Sequence, residues 1–309
     1  MGKFYHIAGI SAQALSNHKR RQNQAKQKQE QVLSMIVEVR TSIGIMGIKK
    51  TYHLLKDKLK AIGIGRDKFY AIYRQNGFVV ERRRRPERTT YSDPRSKFEN
   101  LITGKKFDRI NQLWATDITY IRLEGGKFAY LTMIIDVVSR RILSYKLSLD
   151  MLADNNVEAL KKALKLRGKQ LKEVDLIHHS DRGSQFVSKK YLKILERAGV
   201  KVSMAYSVYE NIYIERINGI VKQEYIYPFK IRDFDQLQRQ LQWAVETYNN
   251  KRPHWSLGLM SPVEFEEKFG TGVVSEKFHL KFSEHIKNTK NAKNYKQTNK
   301  KLSQKLVST

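Results

Sequence analysis

The fold is decided by residues 113–149, which read LWATDITYIRLEGGKFAYLTMIIDVVSRRILSYKLSL. This stretch contains three runs of apolar and β-branched residues, Leu113–Leu123, Phe128–Val138 and Ile142–Leu149. Runs of this length with turn residues between them are typical of consecutive strands, and the pair Gly125-Gly126 indicates a hairpin between the first two. The stretch therefore predicts three sequential strands.

Helices and strands are predicted to alternate after these three strands. Periodic apolar residues predict helices at 153–166, 189–198, 210–225 and 233–250, and short apolar runs predict strands at 174–178 and 200–204. Three strands followed by alternating helices and strands indicate a mixed α/β domain.

The region before residue 81 is predicted to consist of short helices. Ser11 is a candidate N-cap, and glycines at 44, 47, 63 and 65 punctuate the later helical patterns. A helix, a glycine-containing turn and a basic helix are typical of a helix-turn-helix, and equally of a plain helical hairpin. The helix-turn-helix interpretation places DNA contacts on the second helix, at Arg66, Lys68 and Arg74.

Positive charge is concentrated in the flanks of the chain. The formal net charge is +29, from 59 Lys and Arg against 30 Asp and Glu, and the middle of the chain is nearly balanced. A strongly basic protein is usually shaped to meet a polyanion. The pattern predicts a helical region at 1–80, a basic linker at 81–106, a core at 107–270 and a disordered basic tail at 271–309.

The linker contains a run of arginines that is either solvated or in contact with phosphates. These candidate contacts are Arg82, Arg83, Arg84 and Arg85. The chain has no cysteine, so disulfides and thiolate metal sites are excluded. The absence of a long apolar run and of an apolar signal region predicts a cytoplasmic protein with no membrane segment.

Three acidic residues stand in informative contexts. Asp117 lies in an apolar strand, where a carboxylate is costly unless it is paired or bound to metal. Asp181 follows a predicted strand, and Glu215 lies on a predicted helix. Hard oxygen ligands of this kind suit magnesium, and carboxylates shared between two ions can clamp the oxygens of a phosphodiester.

The helix that carries Glu215 has a polar face. Asn211, Asn218 and Lys222 share this face with Glu215, at helical spacing. Lys222 and Asn218 are therefore candidates for contact with DNA beside a metal site, and the alternative for Lys222 is a solvated lysine. The acids also have alternative, purely structural interpretations. An aspartate in a strand is often part of a salt bridge, and Glu215 could pair with Arg216.

Three sequence blocks together resemble the catalytic blocks of insertion-sequence transposases. They are Trp114-Ala-Thr-Asp117-Ile-Thr-Tyr120, His179-Ser-Asp181-Arg-Gly-Ser-Gln-Phe186 and Glu210-Asn211-x-x-x-Glu215-Arg-x-Asn218-Gly219-x-x-Lys222-x-Glu224. The chain is most similar to the insertion-sequence-three family, as the product of the second reading frame. A later motif, Tyr248-Asn249-x-x-Arg252-Pro253-His254 followed by Ser261-Pro262, resembles the C-terminal signature of that family.

The resemblance implies a ribonuclease H-like core, a mixed five-stranded sheet with flanking helices, preceded by an all-α helix-turn-helix region. It implies a catalytic and metal-binding triad of Asp117, Asp181 and Glu215 with two Mg²⁺ ions, for which Mn²⁺ can substitute. The implied partners are the terminal inverted repeats of the element and target DNA, further copies of the chain, and an upstream-frame protein as fusion partner. The implied activity is strand cleavage and 3′-hydroxyl strand transfer in a nucleoid-associated bacterial protein.

The chain departs from the family pattern in one place. Between Asp181 and Glu215 lie 33 residues, two fewer than is usual, which we interpret as a shortened loop. Glu210 and Glu224 are rival acids, Asp136 is interpreted as structural, and His178-His179 as a weaker metal candidate. Two other functions stay open, a ribonuclease H-like nuclease without joining activity and a catalytically inactive DNA-binding regulator.

Overall fold

A computed structural model describes residues 11–80, 98–205 and 208–282. The described residues divide into two compact units. The helical unit comprises residues 11–80 and 223–230, and the core unit comprises residues 98–222 and 231–282. Arg82 to Arg85, most of the predicted linker and the end of the predicted tail lie outside the described residues.

The helical unit begins with one long helix, α1, Ala12–Ile43, so the prediction of separate short helices was wrong for this stretch. Ser11 caps it as predicted, because its hydroxyl accepts a hydrogen bond from the Ala14 amide at 3.0 Å. Residues 12–31 contain no glycine or proline and are rich in Gln, Lys, Arg and Ala, which favour helix. The helix ends at Gly44, whose φ of 105° is accessible to glycine.

Two shorter helices complete the unit, α2, Ile48–Ala61, and α3, Arg66–Gln75. They are joined by a turn in which Gly63 has a φ of 71°. The core of the unit is built from the apolar faces of the three helices and from Met46 and Ile64 in the connections between them. The helical residues are Val32, Ile36, Val39, Leu55, Leu59, Phe69, Ile72 and Tyr73. No single described helix is long and apolar enough to cross a membrane, although the pair α1 and α2, bent by 116°, meets the length and composition criteria together.

The core unit contains the predicted sheet. Its strands are β2, Leu113–Arg122; β3, Phe128–Asp136; β4, Ile142–Ser148; β5, Ile177–Ser180; and β6, Lys201–Met204. The order across the sheet is β4-β3-β2-β5-β6, in which β3 is antiparallel to both neighbours and β2, β5 and β6 are parallel. This mixed five-stranded sheet confirms the predicted ribonuclease H-like core.

Helices cover the sheet and continue the chain beyond it. They are α4, Ala153–Arg167; α5, Lys189–Arg197; α6, Ile212–Ile220; α7, Phe234–Asn250; and α8, Pro262–Phe269. The predicted single helix at 210–225 is instead a 3-10 turn, Val208–Asn211, then α6, then a π-helix, Val221–Ile226. Trp114, Leu160 and Leu195 are among the buried residues that join sheet and helices into one core.

A second, two-stranded sheet crosses the predicted domain boundaries. It pairs β1, Lys106–Phe107, with β7, Leu280–Lys281, in antiparallel register. Leu101 also donates its amide to the Ser203 hydroxyl at 2.9 Å. The described parts of the predicted linker and of the predicted disordered tail are therefore folded with the core unit, because buried Phe107, Val274 and Phe278 supply apolar contacts that the charge pattern does not reveal.

Candidate active site

The site is organised by the parallel pair β2 and β5. Thr116 lies opposite Ser180 in this pair. The residues that follow them in sequence, Asp117 and Asp181, therefore lie next to each other. Asp117 lies in mid-strand, because β2 continues to Arg122, whereas Asp181 lies just after the end of β5. Parallel pairing of two short strands therefore brings together carboxylates that are far apart in sequence.

Asp181 is held by the turn that follows it. The Gly183 amide donates a hydrogen bond to Asp181 Oδ1 at 2.9 Å. A β-carbon at Gly183 would lie 3.0 Å from that oxygen and 3.1 Å from Gln185 Oε1. Glycine at this position thus lets the turn close tightly around the carboxylate.

Helix α6 is fixed to β2 by two asparagines that flank Glu215. Asn211 donates its side-chain amide to the Thr116 carbonyl at 3.3 Å, and Asn218 donates to Asp117 Oδ2 at 2.8 Å. Glu215 lies between them in sequence and is exposed. The predicted polar face of this helix is confirmed, and it faces the strand that carries Asp117.

Lys222 extends the same face onto β2. Its ammonium donates to Thr119 Oγ1 at 2.6 Å and lies 5.9 Å from the centre of the Tyr120 ring. Burial lowers the pKa of Lys222, and the charge of Asp117 opposes that shift. The side chain is therefore part of the site's edge and is not a freely solvated lysine.

The electrostatics of the site reflect crowded negative charge. Burial raises the pKa of Asp117 to about 8, the charges of Asp181 and Glu215 add to the increase, and Lys222 opposes it. Burial also raises the pKa of Asp181, against the hydrogen bond from Gly183. The three predicted acids therefore interact with one another, and a cation would relieve their repulsion.

The donor set fits a hard divalent cation in its chemistry, since carboxylate oxygens are the ligands that Mg²⁺ prefers. No three acidic or histidine side chains in the described parts of the chain converge closely enough to enclose an ion. Asp117 and Asp181 provide an adjacent pair of carboxylates, and the exposed Glu215 stands on the neighbouring helix.

The other predicted DNA contacts belong to the helical unit. Arg66, Lys68 and Arg74 are exposed on α3. Arg66 forms an ion pair with Asp67 at 3.0 Å, and the Arg74 guanidinium lies 5.5 Å from the centre of the Tyr70 ring. Their role in DNA binding stays a prediction.

The rival polar residues have structural partners. Asp136 accepts hydrogen bonds from the amides of Asn111 at 2.6 Å and Ser139 at 2.7 Å, which agrees with its interpretation as structural. His178 pairs with the Tyr191 hydroxyl at 3.0 Å, and His179 pairs with the Ser203 hydroxyl at 2.9 Å. Burial lowers the pKa of His178 to about 4 and of His179 to about 3, so both are neutral core residues.

The sequence did not single out Thr119, and it gave no structural role to Asn249 of the C-terminal signature. Thr119 lies two residues after Asp117 on β2, and strand alternation alone places both on one face. Asn249 of the signature both donates to and accepts from the backbone of Ile142, at 2.8 and 2.9 Å. It therefore completes the hydrogen bonding at the edge of the sheet, a role that no sequence pattern reveals.

Comparisons with known proteins agree with this fold. Two profiles described as "Integrase core domain" match residues 108–207 and 198–262. The chain is 30% identical over 233 residues to the "Putative transposase for insertion sequence element IS986/IS6110" of Mycobacterium tuberculosis (strain ATCC 25177 / H37Ra), a match that covers 73% of this chain and 83% of that protein.

Further relatives include the transposase for insertion sequence element IS629 of Shigella sonnei, 33% identical over 55% of this chain and 56% of that protein. Among solved structures, the catalytic core domain of the HTLV-2 integrase is similar, with 19% identity, a TM-score of 0.41 and coverage of 54% of this chain and 99% of that chain. From the integrase core and the mycobacterial relative, the chain belongs to the insertion-sequence transposases with an integrase core domain, and it is a DDE-type polynucleotidyl transferase.

Proposed function

We propose that this transposase binds the ends of its insertion element, cuts a strand there and joins the new 3′-hydroxyl to target DNA, with Asp117, Asp181 and Glu215 as the metal-binding triad. The observation that carries the proposal is the pairing of β2 with β5, which places Asp117 beside Asp181, while Asn218 of the helix that bears Glu215 is hydrogen-bonded to Asp117. Two Mg²⁺ ions, or Mn²⁺ in their place, would supply Lewis-acid activation of the phosphodiester when bound.

Cleavage and joining are two successive displacement reactions at phosphorus, and each forms one phosphorus–oxygen bond and breaks another. In cleavage, the oxygen of water forms a bond to phosphorus, and the bond to the 3′ oxygen breaks, which leaves a 3′-hydroxyl and a 5′-phosphate. In joining, that 3′-hydroxyl forms the new bond to a target phosphorus and displaces a 3′ oxygen of the target strand. No external energy source is needed, because each step exchanges one phosphorus–oxygen bond for another.

Individual side chains have distinct roles in the proposed reaction. Asn218 holds Asp117 Oδ2 in a fixed orientation through its 2.8 Å hydrogen bond. Gly183 does the same for Asp181 through its backbone amide. Lys222, bonded to Thr119 at the edge of the site, supplies positive charge for a DNA phosphate.

The finer assignment to the insertion-sequence-three family belongs to the same proposal. Support comes from the residues of the three acidic blocks and from the signature at Tyr248–Pro262. Under this assignment the chain acts on DNA as a homo-oligomer, can be made as a fusion with an upstream-frame protein, and associates with the bacterial nucleoid.

The test uses labelled duplexes that carry the ends of the element, identified as inverted repeats beside the gene, with Mg²⁺ and an unlabelled target duplex. Joined products support the transposase. Cleavage without joining would instead support the nuclease, and binding without cleavage would support the inactive regulator.

A further inference from the structure

The first twenty residues of α1 are a helix without a core to pack on. Residues 12–31 are exposed almost throughout, and burial begins only at Val32. Val32, Ile36 and Val39 attach the C-terminal part of α1 to the helical unit. At about 1.5 Å per residue, the exposed part is roughly 30 Å long.

This exposed segment is strongly basic. Residues 12–31 contain one acidic residue, Glu30, and five basic residues: Lys19, Arg20, Arg21, Lys26 and Lys28. The five positive charges lie within ten residues, so a polyanion laid along this segment would relieve their mutual repulsion.

The positive charges form two rows on opposite flanks of the helix. At about 100° per residue, Lys19 and Lys26 lie on one flank, and Arg21 and Lys28 lie about half a turn away. The face in line with the buried Ile36 carries no charge, since it presents His18, Ala25 and Gln29. The opposite face, between the two rows, presents side chains that can read base edges: Arg20, Asn23, Gln24 and Gln27.

We propose that residues 12–31 of α1 lie in the major groove of duplex DNA, with the two basic rows on the two phosphate backbones and the face between them on the bases. The major groove is about 12 Å wide and admits an α-helix between two rows of phosphates. Asn and Gln pair with adenine there, and Arg pairs with guanine. The choice of DNA as ligand rests on the proposed function.

Two further observations favour this occupant. Between residues 16 and 31 the only apolar residue is Ala25, so a second copy of the helix has no apolar seam on which to dimerise. A β-carbon at Gly63 would lie 3.4 Å from Lys28 Nζ, which places Lys28 beside the turn that precedes α3. The basic segment and the exposed Arg66 at the start of α3 therefore flank one turn of the helical unit.

The phosphate contacts are tested with the full chain, in EDTA, by fluorescence anisotropy on a labelled random-sequence duplex of roughly three helical turns. The variant Lys19→Gln/Arg21→Gln/Lys26→Gln/Lys28→Gln is expected to reduce the slope of log affinity against log salt by about 3 to 4, since each phosphate contact contributes about 0.9. Glutamine has nearly the helix propensity of lysine and arginine, so the helix should persist, which circular dichroism checks.

The matched control removes the same charge from exposed lysines of the core unit, in Lys161→Gln/Lys162→Gln/Lys165→Gln/Lys169→Gln. Its slope should change by less than about 1. Equal slope changes in the two variants would overturn the proposal, as would equal affinity for duplex RNA, whose deep and narrow major groove does not admit a helix.

Base reading is tested on duplexes that the wild-type chain selects from a randomised library. Asn23→Ala/Gln27→Ala should lower the preference for selected over random duplex about tenfold or more, because one bidentate base contact is worth about 1–3 kcal/mol. Gln22→Ala/Gln29→Ala, on the other side of the helix, should leave that preference unchanged. Equal preferences in the two variants would overturn the base-reading role.

These binding measurements separate the inference from the proposed function, because they require neither metal nor chemistry. If the helix variant shows the expected change in slope but the wild-type chain does not join DNA, the proposed activity alone is refuted. A wild-type chain that joins DNA, with an unchanged slope in the helix variant, would refute the groove contact alone.

Discussion

Asp117 holds a carboxyl group whose ionisation opposes folding. Its pKa is about 8 in the folded chain, mainly because of burial and then because of Asp181 and Glu215, against an ordinary value of 3.8. Between these two values the unfolded chain loses its proton and the folded chain retains it. The free energy of unfolding should therefore fall as pH rises from about 4 to about 8.

Asp117→Asn should remove this pH dependence in EDTA. The variant is expected to melt several degrees above the wild type at pH 8, consistent with a gain of up to a few kcal/mol, and to differ little at pH 4. Thermal melts at a series of pH values give the comparison. If the variant gained no stability at pH 8, the cost of burying the Asp117 carboxylate would be offset by its surroundings in the wild-type chain, and the prediction would be wrong.

The catalytic assignment of the three acids predicts a different pattern in activity. Asp117→Asn, Asp181→Asn and Glu215→Gln should each lower strand cleavage at least about 100-fold, since misplaced reacting groups lose rate on that scale. Affinity for element ends should be largely retained. Glu210→Gln is the control that should stay active. A residue whose variant cleaves DNA at a near-normal rate is not a member of the catalytic triad.

At the scale of a residue, the sequence was most informative for charged side chains in apolar surroundings. Asp117, Asp181 and Glu215 stand out as charged groups in apolar or patterned surroundings, and the fold does bring their charges together. Thr119 was missed because a threonine in a strand is ordinary, and its contact with Lys222 depends on how α6 packs on β2.

The elements of the core were predictable because their periodicity is strong. The three antiparallel strands, their hairpin and most of the later helices follow directly from runs of apolar residues. The π-helix Val221–Ile226 and the pairing of β1 with β7 could not be predicted, since both depend on tertiary contacts between segments distant in sequence.

Helix α7 closes the edge of the sheet, and one residue carries that contact. Asn249→Ala would leave the amide and carbonyl of Ile142 without their 2.9 and 2.8 Å partners. Each buried group left unpaired costs about 1–3 kcal/mol, so the free energy of unfolding should fall by a few kcal/mol. Urea unfolding of Asn250→Ala, at the exposed neighbour, is the control that should show little change.

On the scale of the whole molecule, the helical unit is discontinuous in sequence. Residues 223–230 belong to it, the Glu224 carbonyl accepts the Ile45 amide at 3.1 Å, and Tyr225 is fully buried. A β-carbon at Gly44 would lie 2.7 Å from the Tyr225 ring. Sequence analysis assigned these residues to the core, because helical periodicity runs through them without a break.

Gly44→Ala should therefore destabilise the helical unit. The new methyl group meets the Tyr225 ring, and the φ of 105° at Gly44 is strained for any residue with a side chain. We expect faster amide hydrogen exchange in α2 and α3 with unchanged exchange in β2 and β3. Gly77→Ala, at a positive φ with no atom within 4 Å of the new methyl group, controls for backbone strain alone.

Because residues 223–230 belong to the helical unit, this unit cannot be completed until they have been synthesised. Residues 11–80 emerge roughly 140 residues before their partner segment, an interval of about 7 to 28 s at usual elongation rates. During that interval the nascent chain exposes the backbone at Ile45 and the apolar surface that Tyr225 later covers. A chain whose synthesis stops before residue 223 has an incomplete helical unit, so translation through residue 230 is a condition for completing that unit.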